Sequence, residues 1–272
     1  MNVSICMASF NRDPKVLDAV LNSICSQTCH FPVEVVVADD GSEFGAPDVC
    51  GNYPVEYRRI DREPAVRNPS VARNIAYRQA SGDIIIAQSD DVVHEDGAVA
   101  ELVELLENNS SSFVIATVLG CDRNGIPEEV YTGEWNGQLR HLPLFFLGAL
   151  WKSDLYAIGG NDEEFAVCGG NGGQEDKWFA RCLIDGRGLS PVYAENVVGY
   201  HMAHDRPSER SAKHTNMKLY HQKLERAMNT GVWCSSSGPW REYDGATSVG
   251  AVSRQSLAFA DAGRGENHRS DP

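Results

Sequence analysis

The chain has 272 residues, 42% of them hydrophobic, with 38 acidic against 24 basic side chains and a formal charge of −14. That length supports one large domain or a core with an appendage, and the acidic excess argues against sequence-independent binding of DNA or RNA. Eight cysteines without a CxxC pair make a zinc knuckle unexpected, and no basic-then-apolar leader or run of about 18 apolar residues predicts a signal peptide or a spanning helix. A reducing cytoplasm is the expected compartment, with peripheral attachment to a membrane left open.

Residues Val3 to Ala8 read as a buried first strand, and Ser9-Phe10-Asn11-Arg12 as the loop at its carboxyl end. Asp13 caps a helix with Pro14 at its first position, and Val16, Leu17, Val20, Leu21 and Ile24 form the apolar face. Val33 to Ala38 is a second strand ending in Asp39-Asp40-Gly41-Ser42, where Asp40 is expected to bond the backbone of the turn. Val55 to Ile60 is a third strand. A helix follows with Ser70 as N-cap, Val71 and Ile75 at helical spacing, and Gly82 as its stop. Ile84 to Ala87 is an unbroken β-branched run, suited to a strand covered on both faces, and it ends in Gln88-Ser89-Asp90-Asp91.

Further on, Asp96 to Glu107 reads as an amphipathic helix and Phe113 to Val118 as a strand. The turn-rich stretch from Gly120 to Arg140 is expected to be antiparallel or irregular. Leu142 to Trp151 is apolar and leads into a helix at Lys152. A glycine-rich loop, Cys168 to Gly173, precedes a helix opened by Gln174-Glu175-Asp176, with Trp178, Phe179, Cys182 and Leu183 inward and Gly186 as stop. Val192 to Ala194 and Val197 to Tyr200 are strand pieces leading to His201 and His204. A polar helix over Ser211 to Met228 is expected to turn Met217, Tyr220, Leu224 and Met228 inward. From Ser235 to Pro272 the composition shifts to Ser, Gly and Arg, the mark of a loosely held tail.

Strands alternating with helices predict an α/β fold: a mostly parallel central sheet with flanking helices and a small antiparallel region. One domain is expected over 1–234, in two halves at about 1–119 and 120–234. The loops near Asn11, Asp39 and Asp90 should share the carboxyl edge of the sheet, where open α/β sheets bind ligands. Asp90 and Asp91 repel each other and lose hydration on such an edge, and a hard divalent cation holding phosphate oxygens would offset that cost. The plain alternative is an Asp-rich turn capping the next helix. His201 or His204 could complete a metal shell through neutral imidazole, although core or surface histidines are as common. Glu175 and Asp176 stand in a first helical turn, whose dipole favours the ionised carboxylate a general base needs; the alternative is two acids merely complementing the helix end. Trp135 and Trp151 are candidates for stacking on a ligand, with simple packing the commoner role.

Four blocks in order resemble the family 2 glycosyltransferases, which have the GT-A fold: SICMASFNR, VVVADDGS, ARNIAYRQASGDIIIAQSDD, and IGGNDEEFAVCGGNGGQEDKWFARCL followed by HMAH. The resemblance implies an inverting, metal-dependent glycosyltransferase, fed by a nucleotide sugar (a UDP-sugar first) and acting on a glycan, lipid-linked or other hydroxyl acceptor. It implies Mn2+ or Mg2+ as cofactor, Asp90 as first metal ligand with Asp91 second, and His204 ahead of His201. It implies Asp39 as reader of the uracil imide, Ser9, Asn11, Arg12 and Arg73 as nucleotide contacts, and Asp176 as the base beside Glu175. Gln88, with Ser89 after it, stands where the family pattern has a ribose-facing Asp; a glutamine bonds a hydroxyl but cannot neutralise a cation. That departure keeps alive a catalytically silent nucleotide-sugar or glycan-binding module. A sugar-phosphate nucleotidyltransferase fits less well, because MASFNR lacks the Gly-rich, Lys-bearing loop it would need after the first strand.

Overall fold

The computed structural model describes residues 1–60, 69–168, 174–204 and 210–240. The glycine-rich segment 169–173 and tail residues 241–272 lie outside the described residues.

The first half alternates as the hydrophobic pattern requires. Strands β1 (Val3–Ser9), β2 (Val33–Asp39), β3 (Glu56–Arg59) and β4 (Ile84–Gln88) are interleaved with helices α1 (Pro14–Cys25), α2 (Ala46–Cys50) and α3 (Pro69–Gln79). Strand β5 (Val92–His94), α4 (Ala98–Asn108) and β6 (Ser112–Cys121) follow, then β7 (Pro127–Trp135), β8 (Gln138–Arg140) and β9 (Leu147–Trp151). Helices α5 (Lys152–Ile158) and α6 (Glu175–Arg181), strand β10 (Ser190–His201) and α7 (Arg210–Thr230) complete the described elements, with a 3-10 turn at Glu163–Cys168 and a π turn at Cys182–Gly186.

The strands form one mixed sheet in the order β3-β2-β1-β4-β9-β6-β10-β5, with β7 and β8 branching from β6. The half from β3 to β4 is parallel, as expected. Beyond it β10 runs parallel to β6, and antiparallel strands enter in the second half, where an antiparallel region was expected. Strand β9 runs antiparallel between β4 and β6, and β5 runs antiparallel to β10 at the edge. The apolar run ending at Trp151 is therefore a central strand, which is why Leu147 to Leu150 are fully buried. The 120–140 region is the antiparallel pair β7–β8, as predicted.

Period-two alternation divides the core between the two faces of the sheet. Ile84 and Ile86 pack with Leu17, Leu21 and Leu102 under α1 and α4, while Ile85 packs with Ala72, Leu155 and Phe179 under α3, α5 and α6.

Several local expectations change. The Asp13 cap holds, its carboxylate accepting Lys15 N–H. Helix α3 starts at Pro69, so Ser70 is inside its first turn and is not the cap. It ends at Gln79, and Gly82 instead donates its N–H to Ser4 Oγ at 2.7 Å. The two strand pieces near 192–200 are one strand, β10, with an irregularity between Ala194 and Val198. Met228 of α7 is 70% exposed, whereas Asn216 and Ala227 are buried. The inward stripe of α7 includes Asn216, Tyr220, Lys223 and Ala227, because Lys223 Nζ reaches the buried Asp162 carboxylate at 2.8 Å. A paired cation thus takes a place that an apolar pattern search would give to methionine. Ser235, assigned to the loose tail, is 3% exposed and its Oγ donates to Gly159 O at 2.7 Å.

Candidate active site

Register brings the three expected loops together. Ser9 pairs with Asp39 across β1–β2, and Cys6 pairs with Ala87 across β1–β4, so these strands finish level. The chain then crosses to the far edge of the sheet. Asp91 is followed by β5, whose Val92 pairs with His201 of β10, and Met202 N–H donates to Asp91 O at 2.8 Å. Two residues at the end of one strand are thereby set against a histidine more than a hundred positions away.

Asp91 is the hub of the acidic end. His204 Nε2 lies 3.1 Å from its Oδ2 and His201 Nε2 3.4 Å from its Oδ1. The ligand atoms of Asp91, His201 and His204 lie within 4.8 Å of one another. Sequence reasoning put Asp90 ahead of Asp91 as ligand; the structure groups Asp91 with both histidines. Arg12 Nη2 lies 2.7 Å from Asp90 Oδ1 and 2.8 Å from Asp91 Oδ2. Asp90 Oδ2 and Asp91 Oδ1 are buried without a hydrogen-bond partner. Orphaned carboxylate oxygens beside two imidazoles form a donor set that fits a divalent cation. Burial pushes the Asp90 carboxyl above the usual range, against the pull of Arg12. For Asp91 burial acts in the same direction, yet the His204 hydrogen bond with the His201 and Arg12 charges outweighs it and brings its pKa down to about 2.

The rings around His201 were not foreseen. Tyr131 and Phe146 meet it edge-on at centroid distances of 5.0 and 5.6 Å. Gly120 makes room, since a Cβ there would lie 2.6 Å from the Tyr131 ring. The signal available was Gly120 itself, opposite His201 in the β6–β10 register.

On the other flank Asp39 is fully buried, its Oδ1 accepting Ser42 N–H at 2.9 Å and its Oδ2 accepting the Tyr57 hydroxyl. The turn bond expected of Asp40 therefore comes from Asp39. Asn11, with φ of 46°, stitches the same loops: its N–H donates to Ser42 Oγ and its Oδ1 accepts Glu43 N–H, each at 2.8 Å. Asparagine is among the residues that tolerate this conformation. Gln88 is committed elsewhere: its Nε2 donates to Val92 O at 2.9 Å and its Oε1 lies 3.3 Å from His94 Nε2. Burial keeps that imidazole neutral, with a pKa down to about 4. Ser89 is half-buried, and its N–H donates to Phe146 O.

Helix α3 joins β3 to the parallel-running β4 side of the sheet, so its start lies at the carboxyl edge. Its Arg73 was expected on the nucleotide. In the structure Arg73 Nη1 lies 2.5 Å from Asp176 Oδ1, with both side chains largely buried. Glu175 is 3% exposed, and its Oε2 has no partner. Burial, with the Asp176 charge beside it, pushes its pKa up to about 7. Trp151 is packed against the core, and Trp135 is half-buried on β7.

Residues 4–164 match the family described as Glycosyl transferase family 2. The chain belongs to this family. Among curated relatives, the uncharacterized glycosyltransferase YfnE of Bacillus subtilis is 30% identical over 118 residues, 42% of this chain and 29% of that protein. The hyaluronan synthase of Pasteurella multocida is 30% identical over 117 residues, 42% of this chain and 12% of that protein. The aligned part is thus under a third of either relative's length. Solved structures of similar fold include S. aureus TarS 1-349 in complex with UDP, with a TM-score of 0.58 at 16% identity over 84% of this chain and 72% of that one. The mannosyltransferase PcManGT of Pyrobaculum calidifontis, in complex with GDP-Man and Mn2+, gives 0.57 at 18% identity over 82% of this chain and 64% of that one. At such identities the likeness establishes the fold, the GT-A fold of this family 2 chain, and function must be argued from the site. No helix among the described residues is long and apolar enough to cross a membrane.

Proposed function

We propose that this family 2 chain is an inverting glycosyltransferase that moves a sugar from a nucleotide diphosphate donor, a UDP-sugar first, to an acceptor hydroxyl of a glycan or lipid-linked chain. The observation that carries the reading is the Asp91–His201–His204 cluster at the carboxyl edge of the same sheet whose parallel strands end at Ser9 and Asp39. Asp91 and the two histidines would hold Mn2+ or Mg2+, with Asp90 alongside. Bound there, the cation would offset the charge that develops on the departing diphosphate. The protein's own groups do the rest. Arg12, Asn11 and Ser9 line the diphosphate side. Asp176 takes the proton of the acceptor hydroxyl as its oxygen bonds to the anomeric carbon and the bond to the diphosphate oxygen breaks.

Thermal unfolding with UDP, Mn2+, both, or UDP with a chelator tests the reading. The pair should raise Tm more than either ligand alone, since ligands of the native state stabilise by mass action. Equal stabilisation by UDP with a chelator present would overturn the metal assignment.

A further inference from the structure

One guanidinium nitrogen, Arg12 Nη2, serves both acids of the strand end, at 2.7 Å from Asp90 and 2.8 Å from Asp91. The Asp91 oxygen it takes is Oδ2, the same atom that faces His204 Nε2 at 3.1 Å. A divalent ion bound between Asp91 and the histidines would sit about 2 Å from its ligand atoms, and so close against the guanidinium. Two cations that near compete for one carboxylate. The arrangement is also half-satisfied on both sides. Asp90 Oδ2 and Asp91 Oδ1 accept no hydrogen bond, Asp91 Oδ1 having only the longer 3.4 Å approach of His201 Nε2, and the buried Nε–H of Arg12 donates none. Arginine's planar fork pairs two oxygens at once, and a diphosphate offers such pairs. Arg12 sits in the loop between β1 and α1, directly after Asn11 with its left-handed φ of 46°.

We propose that Arg12 is the site's own counter-ion: it neutralises Asp90 and Asp91 in the metal-free protein, competes with the divalent cation for Asp91, and is drawn off onto the donor's diphosphate. Metal and nucleotide then bind as a pair, each raising the other's affinity by the same factor. This rests on the reading of the site as a metal and nucleotide-sugar pocket.

Titration calorimetry on the full chain tests it, with Mn2+ alone, UDP alone, and each in the presence of the other. In Arg12→Gln, Mn2+ alone should bind about tenfold tighter than in wild type, UDP with metal should bind more weakly, and the mutual enhancement should shrink. Arg12→Lys keeps one charge without the fork, and its metal-only affinity should lie between the two. Metal-only affinity in the folded variants that equals or falls below wild type, while wild type takes up Mn2+ with UDP, overturns the role of Arg12 alone. If Arg12→Gln does not fold, the Arg12→Lys value decides in the same way. No Mn2+ uptake by wild type even with UDP overturns the reading of the site, and this inference with it.

Discussion

Two adjacent acid pairs, Asp90-Asp91 and Glu175-Asp176, are each met by one arginine, and they end in different electrical states. Arg12 bridges both members of the first pair. Arg73 reaches Asp176, while Glu175 is left buried with an unpartnered oxygen and a pKa pushed up to about 7. Backbone geometry explains the difference. Asp90 and Asp91 lie in the turn between β4 and β5, where neighbouring side chains can converge on one nitrogen. Glu175 and Asp176 open α6, and consecutive residues on a helix point about 100° apart. One guanidinium cannot serve both. The first pair therefore shares one cation between two carboxylates, while the second leaves Glu175 without one, its pKa raised by burial and by the Asp176 charge.

If the pairs are separable, Asp176→Asn should cut transfer by roughly 10²–10⁴-fold, the usual worth of a positioned base, with Mn2+ and UDP affinity unchanged. Asp91→Asn should do the reverse at the binding step, weakening Mn2+ by about 100-fold or more while α6 and its Arg73 contact stay in place. Transfer rate and titration calorimetry on the same two variants decide it. A joint loss of metal binding and turnover in Asp176→Asn would show that the pairs act as one unit.

The sequence made the carboxyl ends of β1, β2 and β4 easier to read than the start of α6. Periodicity placed β1, β2 and β4, and parallel register then brought Ser9, Asn11, Asp39 and Asp90 to one edge. What periodicity could not show was partner choice. Nothing local distinguishes Asp39 from Asp40 as the turn's acceptor; the Tyr57 hydroxyl from β3 and the Ser42 groups settle it in space. Gln88 looked like a weakened ribose contact, yet it belongs to His94 and Val92, residues that fold back through β5. Strand β9 was hidden because its apolar run has no alternation to mark it, both of its faces being covered. On α7 the expected stripe keeps Tyr220 and loses Met228, and Lys223 joins it because the buried Asp162 was not visible from the helix's own pattern.

A smaller effect isolates Glu175. An unfolded glutamate ionises near pH 4.3, whereas Glu175 in the folded chain holds its proton up to about 7. Below pH 4 it is neutral in both states and stability is unaffected. As pH rises from there to 7 the unfolded chain gains charge freely, and stability falls; above 7 the loss is complete. Glu175→Gln removes this dependence. Urea unfolding should give similar stabilities at pH 4.5 and an advantage for the variant on the order of 1–3 kcal/mol at pH 8. Parallel stability profiles for the two proteins would show that Glu175 does not hold its proton in the folded chain.

The smallest expected effect comes from behind the second pair, through the strap formed by Trp233 to Trp240. Helix α3 presents Arg73 to Asp176 and, farther along, Arg78 to the Trp240 ring, 4.1 Å from its centroid. Trp240 N–H donates to Tyr156 O at 2.8 Å, and the ring meets Tyr156 edge-on at 5.3 Å. Ser236 N–H donates to Asp162 Oδ2 at 3.0 Å, tying the strap to the acid that Lys223 of α7 pairs. The strap's hydrogen bonds and ring contacts go to α3, α5, α6, α7 and the Gly159–Asp162 turn. Removing a half-buried ring that also covers a guanidinium should cost about 1–2 kcal/mol, below the range for fully buried aromatics, or about 2–4 °C of Tm per kcal/mol. Trp240→Ala should therefore lower Tm by several degrees and slow transfer a few-fold, as α3 loosens, with Mn2+ affinity unmoved. A chain ending at Trp240 should keep the wild-type Tm, since the Ser-, Gly- and Arg-rich sequence beyond it offers little apolar surface to bury. A chain ending at Val232 should melt like Trp240→Ala or lower. Equal melting of both truncations would mean that the strap rests on α3 without supporting it, and that Arg73 is held by its own helix alone.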